Sequence, residues 1–366
     1  MKIICQKDKL VNAVNIVLKA VPVKTTMPIL ESIVIEAIDG CIKLVSNDME
    51  MAIETVVGGR IEEEGQIAIN AKTFSDIVRK LPDSDVVIDT DEKNQLSITS
   101  ENTFINIPGK SSEEFPALPE YQKTDNITLS QFTLREVINQ TTFAISTSDS
   151  NKLMTGVYFE IKQNNLRVVA LDGHRIAVRQ VELKESYKDK GVIIPGKALN
   201  EISKILTGDA DSEVTIYLDN MHAIFAIDDT IVLSRLIDGE YFNINQMLNN
   251  DYKTKVVINR KALYNSIDRV SPLYKETEKR PIVINIEGDN FELSLTSSIG
   301  NIKDNINIIS EGEGIRIGFN PRFIMDVLKA VDDEEIFMYM SSPKSPCYIK
   351  DTENRYNYVI LPVTLI

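Results

Sequence analysis

The chain repeats itself three times. An amphipathic helix, a β-hairpin, a further strand, a second helix and another hairpin recur at intervals of about 125 residues and fill the whole sequence. The first helices read QKDKLVNAVNIVLKAV from Gln6, SQFTLREVINQTTFAI from Ser130 and NRKALYNSIDRVS from Asn259. The second helices read NAKTFSDIVRKL from Asn70, PGKALNEISKIL from Pro195 and FNPRFIMDVLKAV from Phe319. A fixed internal period means that one structural unit is stacked or ringed. At 366 residues the chain is too long for one ordinary core, and each repeat falls within the usual size of a domain.

Each repeat reads as two helices and about eight strands, a tandem of two smaller αβ halves. Alternating runs with turn residues mark the hairpins. Ile29–Asp48 turns at Asp39-Gly40, Gly156–Gly173 at Asn164-Asn165, and Pro281–Ser298 at Gly288-Asp289-Asn290. Polar, proline-bearing stretches at Gly109–Asn126 and Gly239–Thr254 divide the repeats, giving expected domains 1–122, 123–248 and 249–366. Both connections hold apolar anchors, Phe115 and Tyr241, and so read as short docked links. In the first helix Leu10, Val14, Val17 and Leu18 form the stripe to be buried, with Lys9 and Lys19 outside it. In the fourth, Leu199, Ile202, Ile205 and Leu206 do the same, leaving Lys197 and Lys204 to point away.

Charge follows the repeat. The chain carries −14 overall, which argues against nucleic acid as a partner. Yet five of the six helical segments are net positive and the sixth is neutral, so the strands and loops hold more than all of the negative charge. Solvated helix faces often carry Lys and Arg, and only the coincidence with the repeat gives the segregation meaning. If the helices share one face of a curved sheet, their basic residues share one surface.

Groups able to do chemistry are sparse. The only histidines are His174 and His222. No nucleophile elbow, P-loop or dinucleotide fingerprint is present. The acidic runs Glu62–Glu64 and Asp332–Glu335 read as solvated turns. Tryptophan is absent and no aromatic platform for single strands is visible. No metal site and no cofactor is expected. Cys5, Cys41 and Cys347 have neither zinc nor redox spacing and read as reduced, buried thiols of a cytoplasmic protein. No apolar run approaches a membrane span, and the N-terminus shows no secretory signal. Two stretches break the repeat: Leu171-Asp172-Gly173-His174-Arg175-Ile176-Ala177, and the apolar C-terminus Tyr358–Val363. The first reads on its own as a turn with a hydrogen-bonded histidine. The second reads as a last buried strand or, if exposed, one wall of a cleft.

Over its full length the chain resembles the bacterial sliding-clamp family, the β subunits of DNA polymerase III. The resemblance rests on MPIL (Met27–Leu30), SNDMEM (Ser46–Met51), EEFPAL (Glu113–Leu118), DGHRIA (Asp172–Ala177), IDGEYF (Ile237–Phe242), GFNPRF (Gly318–Phe323) and YVILPV (Tyr358–Val363). It implies an α+β chain of three tandem DNA-clamp domains, each with two helices on curved antiparallel sheets, forming half of a closed ring. It implies no catalysis and a bacterial cytoplasmic location. The partners it implies are duplex DNA without sequence preference, a second copy of the chain, and the polymerase, clamp loader and repair proteins through short linear peptides. Helix packing agrees independently. Neighbouring helices lie roughly 8–10 Å apart, so six in a circle enclose roughly 17 Å and twelve roughly 34 Å. Only twelve admit a duplex roughly 20 Å across, so a second subunit is needed.

The family's peptide cleft, carried over by motif, falls on Met154, Leu171, Gly173, His174, Arg175, Ile176, Phe242, Met247, Asn320, Phe323, Pro346, Val359, Ile360, Leu361, Pro362 and Val363. In that reading Gly173 permits close backbone approach, and His174 and Arg175 orient polar peptide groups. The family usually has a basic residue followed by Phe-Pro-Asp-Tyr where Glu240, Tyr241, Phe242 and Asn243 stand here, which alters the cleft entrance. Candidates for DNA contact are Lys72, Arg79, Lys80, Arg135, Lys197, Lys204, Lys261, Arg269, Arg322 and Lys329 on helices, with Lys24 and Lys152 on loops by resemblance. The apolar segment holding Phe104, Ile105 and Ile107 reads as an edge strand available to a second chain, with Pro272 and Leu273 as its neighbour by resemblance. Two other readings stand beside the clamp: a metal-dependent nuclease or hydrolase using His174 and nearby carboxylates, and a scaffold whose helices simply face solvent.

Overall fold

The computed structural model describes residues 1–119, 125–206, 208, 210–248, 251–275, 277–278 and 280–365. The expected junction at 122/123 lies outside the described residues, as does residue 249 at the second. Among the described residues six α-helices form where the repeat places them: α1 Lys7–Val17, α2 Ala71–Val78, α3 Gln131–Asn139, α4 Gly196–Ser203, α5 Arg260–Val270 and α6 Pro321–Ala330. The same device starts three of them. Asn70, Asn259 and Asn320 each turn a side-chain oxygen onto a backbone N–H of the first turn at 3.0 Å, satisfying a donor that the helix leaves open. In α3 the Ser130 hydroxyl accepts from the Thr133 amide at 3.1 Å in the same way. The buried stripe of α1 is Leu10, Ala13, Val14 and Val17. The expected Leu18 leaves it for a half-buried site, because the chain tightens into a 3₁₀ turn over Leu18–Ala20.

The chain forms two compact units, Met1–Leu134 with Glu201–Leu236, and Arg135–Asn200 with Ile237–Ile366. The central repeat is thus divided between them, because its strands join the sheets of both neighbours in sequence. In the first unit an eight-stranded antiparallel sheet runs Asn126–Ser130, Glu213–Leu218, His222–Ile227, Thr230–Arg235, Met51–Val57, Cys41–Asn47, Ser32–Ile38, Gly65–Asn70. Its central seam pairs Thr230 with Thr55 through Ser234 with Met51, and the buried hydroxyls of Thr55 and Thr230 bond at 2.8 Å. A five-stranded sheet, Gly59–Glu63, Lys2–Gln6, Asp85–Thr90, Gln95–Ser100, Thr103–Pro108, completes the unit. In the second unit a seven-stranded sheet runs Gly156–Leu171, Arg175–Pro195, Tyr356–Ile360, Cys347–Lys350, Glu335–Met340, Thr254–Asn259, Ile309–Gly312. The accompanying four-stranded sheet runs Gly300–Asn307, Asn290–Ser297, Ile282–Glu287, Ile315–Phe319. Fully buried Phe74 and Phe225 in the first unit, and Phe159, Phe291 and Phe319 in the second, anchor the cores.

The Asp39-Gly40 and Gly288 turns form as expected. The turn expected at Asn164-Asn165 does not. Gly156–Leu171 is one uninterrupted strand alongside Arg175–Pro195, and the ribbon reverses only at Asp172–His174. The register is irregular around Gln163, which takes the left-handed conformation (φ +55°). Side chains of the facing strand take up the disturbed groups: Asp189 accepts from the Gln163 amide at 3.2 Å, and Glu182 from the Asn164 side chain at 3.1 Å. Two asparagines without glycine favoured a bulge over a reversal.

Cys5 and Cys347 are buried, and burial pushes both thiols up to about 12. Cys41, expected to be buried, is only half so, because it opens a strand beside the Asp39-Gly40 turn. Alkylation of the native protein at pH 8 should therefore modify Cys41 first and add one group per chain by mass spectrometry. Rapid addition of three would show that the two buried thiols are open to solvent.

Candidate functional site

The turn at Asp172 organises the second unit. One oxygen of its carboxylate accepts from the amides of His174 and Arg175 at 2.9 and 3.1 Å, and the other from the Arg175 Nε at 2.9 Å. Gly173 sits at φ +87°, and a Cβ there would meet open space. The left-handed conformation favours glycine here, and the space beside its Cα is open. Arg175 is nearly buried and its guanidinium fork is fully used. It bonds Asp326 at 2.6 Å and the Phe143 carbonyl, and lies 4.6 Å above the Phe323 ring. It ties the turn to α6 and holds the wall. His174 is exposed and stacks on Phe323 at 6.1 Å.

Beside this turn lies a cavity of about 330 Å³ with a mainly apolar lining. Eleven of the sixteen candidates line it: Met154, Leu171, Gly173, His174, Arg175, Ile176, Phe242, Met247, Pro346, Val359 and Leu361. The other five do not. Phe323 forms the support beneath His174 and Arg175, and Asn320 caps α6. Ile360 is buried on the far side of its strand, because alternation sends Val359 and Ile360 to opposite faces. Pro362 and Val363 run on to the four-stranded sheet, where the Val363 amide bonds the Gly318 carbonyl at 2.8 Å. Within this cavity the C-terminal segment contributes Val359 and Leu361. Two lining residues escaped the sequence reading, Ile244 and Tyr348. Strand alternation about Cys347 could have found Tyr348, which pairs with Val359 and donates to the Met247 carbonyl at 3.1 Å.

The departure at Glu240–Asn243 has a structural counterpart. Tyr241 stacks on Tyr158 at 5.1 Å and meets the Phe242 ring edge-on at 5.5 Å, which sets Phe242 into the cavity wall. Burial pushes the Tyr241 hydroxyl well above its ordinary range, so it stays neutral.

The basic candidates separate into classes. Lys24, Lys72, Lys80, Lys152, Lys261 and Lys329 are exposed and make no ion pair among the described residues. Lys204 is held by Glu201 at 2.7 Å, Arg269 by Asp304, and Arg79 donates to Asn15 at 2.6 Å. Arg135, Lys197 and Arg322 have interaction partners of their own. Thr103–Pro108 is an edge strand of its sheet, as expected, and Phe104 on it is 65 % exposed. Pro272 is exposed in a short 3₁₀ turn, and Leu273 is half-buried. Its side chain lies against Gly300, the start of another edge strand.

No three His, Cys, Asp or Glu side chains converge as a metal site among the described residues. No helix among them is long and apolar enough to cross a membrane. Three tandem clamp domains with open sheets define a clamp-type scaffold. Residues 1–119, 128–243 and 245–364 match the N-terminal, central and C-terminal domains of the DNA polymerase III beta subunit. The chain is 34% identical over 374 residues to the beta sliding clamp of Staphylococcus epidermidis, with 99% of each covered. Its fold matches a crystal structure of a putative DNA polymerase III beta subunit from Eubacterium rectale, with TM-score 0.96 and 53% identity. It also matches the DNA polymerase sliding clamp of Bacillus subtilis, with TM-score 0.96 and 33% identity, both over 100% of each chain. The chain therefore belongs to the DNA polymerase III β subunit family, the bacterial sliding clamps. It is a DNA sliding clamp, a replication processivity factor that does no catalysis itself.

Proposed function

We propose that the protein acts as a head-to-tail homodimeric ring around duplex DNA in the bacterial cytoplasm. In this reading the groove beside Val359 holds short peptides of the polymerase, the clamp loader and repair proteins. The observation that carries the peptide role is the apolar cavity with an ordered polar rim. A leucine or phenylalanine buried there gains roughly 1.5–3 kcal/mol, so two anchors supply much of the roughly −8 kcal/mol of a micromolar complex. Met154 and Met247 give walls that adapt to different partners. The test is titration of a labelled peptide with adjacent Leu and Phe against the native chain and Val359→Asp. Affinity should fall at least tenfold in the variant, and equal affinity places the partner site elsewhere.

DNA is held by topology, with weak phosphate contacts that permit sliding. Lys72, Lys80, Lys261 and Lys329, without an ion pair among the described residues, are better candidates for this than Lys204 or Arg269, whose charges are already met within the chain. Replacing these four lysines by glutamate should reduce loading onto nicked circular DNA by tenfold or more at low salt, with the dimer intact. Native protein should stay on circles and slide off linear DNA. Equal loading by the variant would refute a basic lining.

A further inference from the structure

The strand geometry that builds the groove in the second unit is present again, register for register, in the first. In the second unit Leu171 pairs with Ile176, Ile176 with Val359, and Val359 with Tyr348. In the first, Asn47 pairs with Ala52, Ala52 with Leu233, and Leu233 with Ile224. The turns correspond as well. Asp48 accepts from the amides of Glu50 and Met51 at 3.0 and 2.7 Å, as Asp172 does from His174 and Arg175. Each turn is tied to the third strand by one bond, Arg235 N to Glu50 O at 2.8 Å and Leu361 N to His174 O at 2.9 Å. The left-handed position is Met49 (φ +75°) in one and Gly173 in the other.

Occupancy distinguishes the two. The residues of the second unit border an open cavity. Their counterparts Ala52, Ile224 and Leu233 form a buried cluster against which Leu118 of the same chain packs. Leu118 is delivered by a docked segment. A 3₁₀ turn over Ser112–Glu114 is closed by the Phe115 amide on the Ser112 carbonyl at 2.9 Å, and Phe115 packs on the neighbouring cluster of Ile29, Leu30 and Val34. The segment Phe115-Pro116-Ala117-Leu118 thus presents a phenylalanine and a leucine, the anchor types ascribed above to partner peptides.

We propose that the first unit contains a second groove for Leu- and Phe-anchored peptides, closed in cis by Leu118, and that this closure limits each chain to one partner site. The proposal rests on the peptide reading of the Val359 groove. A tethered side chain acts at an effective concentration in the millimolar range, so a partner of micromolar affinity at cellular concentration does not displace it. The closed groove also offers less apolar surface, since Asn47 and Ala52 stand where Leu171 and Ile176 stand in the open one, and Met51 replaces the clamping Arg175.

The experiment is calorimetric titration of the full chain with a synthetic peptide carrying adjacent Leu and Phe. The native chain should take one equivalent per chain, and Leu118→Ser two, the second bound roughly tenfold more weakly. Adding Leu233→Asp to Leu118→Ser should return the count to one, and Val359→Asp in the native chain should remove the first site. Leu118→Ala, which leaves Phe115 docked, is run beside the serine variant, and far-UV circular dichroism checks folding of both. One equivalent on the folded Leu118 variants overturns the second groove while leaving the first intact. No binding by the native chain overturns the peptide reading, and the second groove with it.

Discussion

Truncating Arg175 to alanine should cost the protein about 2–4 kcal/mol of stability and also abolish measurable peptide binding. The guanidinium joins Asp172 at 2.9 Å, Asp326 at 2.6 Å and the Phe143 carbonyl, and stacks on Phe323. With Arg175 only 11 % exposed, removing it leaves a shielded Asp172 carboxylate without its countercharge. Breaking a fully buried pair costs about 3–5 kcal/mol, and the lower figure here reflects Asp326, which is about one-third exposed and can recover hydration. Peptide binding suffers separately, because the turn that carries Leu171 and Ile176 loses its tie to α6. Arg175→Lys keeps the charge and loses the fork, so it should fall between the two in both measurements. Chemical denaturation and peptide titration on the three proteins decide the matter. A stable alanine variant that binds normally would reduce Arg175 to a surface residue.

The sequence exposed the skeleton of this molecule well, because the repeat supplies three readings of one pattern. Six helices start within a residue or two of Gln6, Asn70, Ser130, Pro195, Asn259 and Phe319, where caps and apolar spacing are local signals. Pairing partners of distant strands were not local. Nothing near Thr230 announces that it faces Thr55, so the division of the central repeat between two compact units could not be read from periodicity. The same limit shaped the groove. Motif resemblance brought Leu171 and Val359 together, but whether a neighbour in a motif faces the cavity depends on strand phase. Ile360 faces away from the cavity for that reason, and Tyr348 was overlooked. Gly173 was legible as a special position, but positive φ and close approach leave the same mark in a sequence, and the backbone conformation emerges only from the folded turn.

In the ring proposed above, placing an aspartate at Phe104 or at Leu273 should convert the dimer, near twice 41.2 kDa, to a monomer at micromolar concentration, with the far-UV circular dichroism of Phe104→Asp unchanged. The edges of the two smaller sheets motivate this. In the five-stranded sheet, the edge strand Gly59–Glu63 carries Arg60, Glu62 and Glu63, and Lys2 pairs with Glu62 at 2.9 Å. Charges of this kind discourage strand addition. The opposite edge, Thr103–Pro108, has no charged residue and exposes Phe104. In the four-stranded sheet, the edge strand Ile315–Phe319 is met by the chain's own tail through Val363 and Gly318. Its other edge, Gly300–Asn307, lies beside Leu273, and its charged residues are satisfied internally, Lys303 by Glu292 and Asp304 by Arg269. One such edge in each of the two smaller sheets, each next to an apolar side chain, suits pairing between two copies, and two such pairings close a ring. A charge buried at the centre of either pairing costs about 2–4 kcal/mol, enough to weaken the dimer by roughly a hundredfold. Analytical ultracentrifugation reads the mass, and retention on circular DNA should disappear with the dimer. Persistence of the dimer in both variants would move the seam away from these edges.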